Sequence, residues 1–283
     1  AYAPGSLWRY LRVEQGEIDA GRVPILTLLD IGRELFSVDF SREQGLGNGL
    51  GARGSALAGP RAAPNLRHVQ YKEFGGPDAT RCLSCHFVGG EGGGGFRGDN
   101  AFLDGDGVRP DSALERNAPA LVGAGLIELL ASEMTAELQG TLRRARAAAD
   151  GKPVPLRAKG VSFGELRLSR GGQVDPAGLS GIDADLVVRP FGRKGTAASL
   201  RGMVEDSLRR HLGVQPEGLL TAARRDPALV GDGPDGDDPD NDGVKREATE
   251  GMVTALATYL AALAPPVEQL PEEASFLLRA SQG

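Results

Sequence analysis

Cys82-Leu83-Ser84-Cys85-His86 contains both cysteines of this 283-residue chain and one of its three histidines. Cysteines three positions apart lie on one side of a single helical turn, so both thiols can reach one edge of a flat cofactor. The adjacent imidazole is an iron ligand, and Cys-x-x-Cys-His is the attachment motif for c-type haem. The pentapeptide therefore predicts haem c, held covalently by Cys82 and Cys85, with His86 on the iron.

The same cysteine spacing also occurs in redox dithiols and in zinc sites. A zinc site needs a second cysteine or histidine pair, but the other two histidines, His68 and His211, stand alone in the sequence. A thioredoxin-like dithiol needs a strand–helix–strand context and leaves His86 without a role. The pattern favours haem over both alternatives.

Composition restricts the compartment and the class of partner. The formal charge of −6 argues against a nucleic-acid-binding protein, which normally presents a basic face. There is no run of 18 apolar residues, so no membrane span is predicted. The N-terminus lacks the basic and apolar regions of a signal peptide, and we expect one to have been removed. Because haem c is attached outside the cytoplasm, we expect an exported, periplasmic protein.

The apolar spacing predicts a mainly α fold. Leucine-rich patterns with helical periodicity occur at residues 23–40, 118–149, 196–213 and 249–264. The 42 glycines and the aromatic content of only 5% indicate many loops between these helices. Alternation in VSFGELRLSRGG predicts a small β-hairpin. We expect a cytochrome c-like haem domain elaborated with long loops and this hairpin.

The domain organisation follows from these patterns. Residues 1–22 are expected to form an extended lead-in, and residues 23–266 the haem domain. The hairpin belongs to an insertion at about residues 152–192. Residues 267–283 are expected to be a linker or the start of a second domain.

An acidic segment near the last helix predicts a calcium site. Oxygen-bearing side chains alternate along it, and a glycine follows the third aspartate, as compact calcium loops require. The expected ligands are Asp238, Asp240, Asp242, the carbonyl of Val244 and the carboxylate of Glu247 or Glu250. The alternative is a solvated acidic lead that complements the dipole of the following helix.

The residue opposite His86 across the iron decides the chemistry. A methionine or histidine there gives an electron carrier, whereas an open position admits peroxide or another small ligand. The candidates are Met134, Met203, Met252, His68 and His211. Met134 lies on the longest predicted helix and His211 at the end of another, and we retain these two as alternatives. Glu133 would be the acid–base residue of an open, peroxidase-like site.

Several stretches in order resemble the bacterial di-haem oxidoreductase family, which is itself similar to the di-haem cytochrome c peroxidases. They are Gly32-Arg33-Glu34-Leu35-Phe36, GLGNGLGARG, RCLSCHFVGGEGGGG, RNAPALVGAGLIELLASEMTAELQ, VVRPFGRKGTAASLRGMVEDSLRRHLG and DPDNDGVKREATEGMVTALATYL. The resemblance covers roughly residues 30–265, and only the haem motif is specific by itself. It implies a mainly helical cytochrome c-like domain with His86 as proximal ligand and His211 near the haem domains.

The chain departs from that family in one respect. Family members carry a second Cys-x-x-Cys-His after the helix matching 249–264, and this sequence has one such motif. We therefore expect an electron-transfer cytochrome with one haem, and an enzyme with peroxidase-like oxidoreductase activity is the alternative. The acidic charge suits a redox partner with a basic docking face, and the chain could also serve as a subunit of a larger electron-transfer assembly.

Overall fold

The computed structural model describes residues 6–47, 69–71, 78–148, 151–225 and 243–267. Helices predominate in these ranges, and strands form two small sheets. The helices are α1 (Ser6–Leu11), α2 (Gln15–Asp19), α3 (Ile25–Ser37), α4 (Ala124–Ala148), α5 (Leu200–Ser207), α6 (Glu217–Arg225) and α7 (Glu250–Ala262). The strands are β1 (Val69–Tyr71), β2 (Ala101–Gly105), β3 (Leu114–Arg116), β4 (Val154–Ala158), β5 (Val161–Leu168) and β6 (Val174–Asp175).

The pair α3 and α7 forms the centre of the first hydrophobic core. Their backbones approach so closely that a Cβ on Gly32 would lie 2.2 Å from the carbonyl oxygen of Ala255. Glycine at this crossing is therefore required by the packing. Phe36 is 1% exposed, and its ring meets that of Tyr259 at a centroid distance of 5.6 Å. Thr249 caps α7, its hydroxyl accepting a hydrogen bond from the amide of Met252.

The expected extended lead-in at residues 1–22 is wrong where the structure describes it. Residues 6–22 contain α1 and α2, and Leu11 and Val13 are buried in the first core. Trp8 packs edge-on against Phe40 at 5.4 Å between ring centroids. Charged residues and glycines between the apolar positions hid two helices of only six and five residues from a periodicity search.

The expectation of a mainly α fold is correct only in part, because the fold is mixed. Two three-stranded sheets are present in the described residues. In the first, β1 pairs parallel with β2, which pairs antiparallel with β3. These strands of three to five residues are too short to show a clear alternation in the sequence. None of the described helices is long and apolar enough to cross a membrane.

The predicted hairpin is present and has a core of its own. β4, β5 and β6 form an antiparallel sheet that packs against the C-terminal half of α4. The buried residues of this second core are Leu138, Leu142, Leu156, Ala158, Phe163, Leu166 and Leu186. The helix α4 begins at Ala124, later than expected, directly after Gly123, whose φ of 77° is not helical. The insertion is thus attached to the long helix.

The helix predicted at residues 196–213 changes its winding before it ends. Ser199 caps α5 through a hydrogen bond from the amide of Gly202. The segment Leu208–Leu212 continues as a single π-helical turn and ends at Gly213, whose φ is 68°. A π-turn is uncommon and often lies at a functional site. This one contains His211.

Candidate haem site

Cys82 and Cys85 lie on one short helical turn, as their spacing predicts. Residues Cys82–Ser84 form a 3₁₀ turn, and the amide of Cys85 donates to the carbonyl of Cys82 at 3.1 Å. Both thiols are half-buried and no disulfide joins them. Cys82 packs against the first core, and this burial, with the charge of Cys85, raises the pKa of its thiol to about 12. Both sulfurs thus belong to one short turn, as attachment to a single ligand requires.

The ring of His86 is oriented by a backbone carbonyl. Its Nδ1 lies 2.9 Å from the carbonyl oxygen of Pro119. Because a carbonyl can only accept a hydrogen bond, Nδ1 must donate, and in the neutral ring the lone pair is then on Nε2. Burial lowers the pKa of His86, which keeps the ring neutral near pH 7. The ring of Phe36 lies beside it, at 6.3 Å between centroids.

The glycine run 89–95 folds back on the motif and fixes the position of Pro119. Val88 and Gly94 pair as an antiparallel bridge, and the amide of Gly92 donates to the carbonyl of His86. On either side of Pro119, the amide of Gly95 donates to the carbonyl of Ala118 and the amide of Leu121 donates to the carbonyl of Gly92. These bonds hold the Pro119 carbonyl in front of His86.

Glycine is needed in this loop because its backbone is tightly packed. A Cβ on Gly93 would lie 2.0 Å from the carbonyl oxygen of Val88. A Cβ on Gly95 would lie 3.0 Å from the carbonyl oxygen of Cys85. The run has well-defined hydrogen bonds that support the motif.

Glu91, the single charged residue within the glycine run, anchors it to the first core. The guanidinium of Arg33 on α3 donates to both carboxylate oxygens, at 3.1 and 3.2 Å. The hydroxyl of Ser37 donates at 3.3 Å. Burial opposes ionisation, but hydrogen bonds from Arg33 and Tyr259 hold the pKa of Glu91 below its usual value. The loop is thus tied to both α3 and α7.

His211 lies close to the segment that leads into the motif. Its Nδ1 is 3.1 Å from both carboxylate oxygens of the buried Asp78. Its carbonyl accepts from the amides of Asp78 and Ala79, at 2.9 and 3.3 Å. Burial lowers the pKa of His211, but the Asp78 carboxylate outweighs it, and the pKa is raised. The structure therefore places His211 against Asp78 and Ala79, which precede Cys82 by four and three residues.

Met134 and Glu133 lie on α4, on the side that faces the hairpin of the insertion. Met134 is partly buried and packs against the second core, beside the hairpin. Glu133 forms an exposed ion pair with Lys159, at 2.7 Å between Oε2 and Nζ. Cys82, in contrast, packs against the first core. The structure thus associates these two residues with the insertion.

The predicted calcium ligands are only partly within the described residues. Asp238, Asp240 and Asp242 lie outside them, as does His68. Glu247 is 1% exposed, and its carboxylate accepts from the amide of Gln215 at 2.7 Å. Val244 follows Gly243, which has a φ of 91°. In the described part of the chain no three acidic, cysteine or histidine side chains form a group that could bind a metal ion by themselves.

Four residues that shape this site were not among those predicted from the sequence: Gln70, Asp78, Glu91 and Pro119. Pro119 acts through its main-chain carbonyl, which every residue has, so the sequence does not indicate this contact. Glu91 and Asp78 are carboxylates within seven residues of the motif, and their proximity to it was a usable signal.

Searches against protein-family models, curated proteins and solved structures find no match to this chain.

Proposed function

We propose that this chain is an exported c-type cytochrome that binds one haem covalently and transfers single electrons to or from a redox partner. The observation that supports this most strongly is the hydrogen bond from His86 Nδ1 to the Pro119 carbonyl. Histidines that bind a metal through one ring nitrogen usually donate the other N–H to a carbonyl or carboxylate. His86 has this arrangement immediately after the two thiols.

The other residues of the motif fit the same group. Cys82 and Cys85 lie on one turn and no disulfide joins them, and each thiol can add its S–H across one vinyl group without an oxidant. His86 would bind the iron through Nε2. Haem iron, when bound, supplies a centre that is reversibly oxidised and reduced by one electron. The two thiols would hold the group covalently, and His86 would be a ligand of its iron.

The surroundings of the motif suit a carrier. Phe36 lies beside the His86 ring, and main-chain hydrogen bonds tie the glycine loop to the motif. Groups held in fixed positions reduce the reorganisation that accompanies a change of charge. Glu133 pairs with Lys159 on the surface, and this pairing favours a carrier over the peroxidase-like alternative.

The proposal extends to the family and the partner. We place the chain with the di-haem oxidoreductases that it resembles, with a cytochrome c-like haem domain around α3 and α7. The net charge of −6 suits a partner with a basic docking face. Export follows from the chemistry of haem attachment.

The direct test is expression in a bacterial periplasm together with a haem-attachment system. After denaturing electrophoresis, we expect haem to remain with the wild-type chain and with the control Ser84→Ala. The double variant Cys82→Ser, Cys85→Ser should lose it. A wild-type chain that contains no covalent haem, or that retains zinc instead, would refute the proposal.

A second measurement separates the carrier from the enzyme. The reduced protein should pass electrons rapidly to a basic electron-transfer protein, at a rate that falls with ionic strength. Its oxidation by hydrogen peroxide should be slow by comparison. Rapid turnover of peroxide would establish the enzyme in place of the carrier.

A further inference from the structure

The two histidines near the motif are held in the same way. His86 donates from Nδ1 to the carbonyl of Pro119, at 2.9 Å. His211 lies with Nδ1 at 3.1 Å from both oxygens of Asp78, and because a carboxylate accepts, Nδ1 is again the donor. In both neutral rings the lone pair is therefore on Nε2. A carboxylate behind a histidine is a common way of orienting a metal ligand.

Asp78 is itself held in place from a second direction. The side-chain amide of Gln70 donates to Asp78 Oδ2 at 2.8 Å and to the carbonyl of Arg210 at 2.9 Å. Gln70 is fully buried and Asp78 is 7% exposed. Buried polar side chains are costly unless they are hydrogen-bonded. Here the hydrogen bonds of Gln70 and Asp78 converge on His211 and the carbonyl of its neighbour Arg210.

The main chain brings this ring toward the haem motif. The amides of Asp78 and Ala79 both donate to the carbonyl of His211, and Cys82 follows Ala79 by three residues. His211 lies in the π-turn, where the altered winding changes the direction of its side chain.

The His211 ring is only partly enclosed. Its side chain is 35% exposed, although Nδ1 contacts a buried carboxylate. The two nitrogens of an imidazole point in widely divergent directions, so Nε2 points away from Asp78. Within the described residues, no hydrogen bond involves His211 Nε2.

From this geometry we infer that Asp78 and Gln70 are positioning residues that orient His211, and that His211 Nε2 is the second axial ligand of the haem iron. This inference rests on the proposed function, because it assigns the face of the haem opposite His86. It selects His211 over Met134, which packs in the second core beside the hairpin. The haem is then bound by two histidines, each with its Nδ1 proton held by a backbone or side-chain oxygen.

The wild-type holoprotein gives the first test, by absorption and electron paramagnetic resonance of its ferric form. We expect a six-coordinate, low-spin iron without the long-wavelength band of a sulfur ligand. The control Met134→Leu, a swap that nearly conserves volume, should leave this spectrum unchanged. A sulfur band that disappears in Met134→Leu would overturn the inference in favour of the methionine.

Variants of His211 give the second test. His211→Ala should become high-spin, and imidazole added to the solution should restore the low-spin spectrum. His211→Met should introduce the sulfur band and raise the midpoint potential, because a methionine ligand favours ferrous iron relative to histidine. If His211 only ties two segments together, these variants lower the thermal midpoint and leave the spectrum unchanged. Even if a variant fails to fold, the wild-type spectrum distinguishes a methionine ligand from a nitrogen ligand.

The positioning role of Asp78 is tested by the conservative variant Asp78→Asn. It keeps an acceptor for Nδ1 but removes the negative charge that makes His211 a stronger donor to ferric iron. We expect the low-spin spectrum to persist and the midpoint potential to rise, by about 59 mV if ferric binding weakens tenfold. The control Asp39→Asn removes an exposed carboxylate bound to Thr80 and Arg81 and should leave the potential unchanged. Equal potentials in wild type and Asp78→Asn would refute the role of Asp78.

Failure of this inference differs from failure of the proposed function. If the chain binds no covalent haem, the proposed function fails. If haem stays attached after denaturation but the His211 variants keep the wild-type spectrum, the proposed function stands and the second ligand is another residue.

Discussion

Two regions of the molecule differ in how their residues are held. The motif region comprises residues 78–95, Pro119 and His211, together with α3 and α7. The insertion region comprises the C-terminal half of α4 with β4, β5 and β6. The motif region depends on main-chain hydrogen bonds, close-packed glycines and buried polar contacts, whereas the insertion region has an ordinary apolar core and exposed ion pairs. This difference is the reason why we place the proposed haem chemistry in the first region.

The largest contrast is expected from one added methyl group in each region. Gly93→Ala would place a Cβ 2.0 Å from the carbonyl oxygen of Val88 and so force the glycine loop open. The Pro119 carbonyl would no longer be held in front of His86. We expect the yield of haem-loaded protein to fall about tenfold or more, as for the loss of a contact behind a metal ligand. The ratio of haem absorbance to total protein measures this effect.

Gly171→Ala is the matched control in the insertion region. The nearest atom to its new Cβ would be the hydroxyl oxygen of Ser169, at 3.9 Å. The yield of haem-loaded protein should therefore equal that of the wild type. If both variants load haem normally, the glycine loop does not support the motif.

Truncation of a buried leucine gives a smaller and more selective effect. Leu35 in the motif region and Leu138 in the insertion region are both fully buried. Replacing either by alanine should cost about 2 to 5 kcal/mol of unfolding free energy. Only Leu35→Ala should also change the haem spectrum, because Leu35 adjoins Phe36 on the helix that contacts His86. Denaturant titrations followed by circular dichroism and haem absorbance would separate the two outcomes, and identical spectra would contradict the division.

The sequence was sufficient to predict the elements that rest on local patterns. The spacing of leucines predicted α3, α4, α5 and α7, and alternation predicted the hairpin of the insertion region. The cysteine and histidine spacing located the candidate site. Each of these predictions depends only on residues that are close together in the chain, so it can be made from the sequence alone.

The remaining features depend on contacts between distant segments. Pro119 approaches His86 only because two main-chain hydrogen bonds flank it, and backbone atoms are the same for every residue. Asp78 meets His211 across more than a hundred residues of chain, at a π-turn that has no sequence signature. The parallel pairing of β1 with β2 is likewise a tertiary feature of very short strands. Local propensity does not determine contacts of this kind.

The predicted calcium site lies outside both regions, and its effect on stability is compared with that of an aspartate in the insertion. Saturating calcium should stabilise the wild type by about 1 to 3 kcal/mol, because a ligand that binds only the folded state adds to its stability. Asp240→Asn should remove this gain, whereas Asp183→Asn in the insertion should not. Thermal unfolding with calcium or with a chelator is the measurement. An unchanged midpoint would eliminate the calcium hypothesis.

The smallest expected effect is the pH dependence of one carboxylate in each region. In the motif region the pKa of Glu91 is lowered, although burial opposes it, by Arg33 and Tyr259. Its contribution to stability is therefore complete above the usual carboxyl pKa of 4.5 and is lost as the pH falls below that value. We expect Glu91→Gln to cost about 1 kcal/mol at pH 7, with the difference from wild type shrinking in acid.

Glu137→Gln in the insertion region provides the comparison for this pH dependence. The pKa of Glu137 is also lowered, first by the amide of Lys159 and then by its side chain, but Glu137 is exposed. Salt at about 1 M screens exposed charges over a few ångströms, so any effect of this variant should disappear there. Glu91 is only 26% exposed, and its contribution should persist in the same salt. Urea titrations at pH 7 and in acid, each with and without salt, measure both. If salt reduced the effects of Glu91→Gln and Glu137→Gln equally, the Glu91–Arg33 ion pair would be no better shielded from solvent than a surface ion pair. The glycine loop would then be held by its main-chain hydrogen bonds alone.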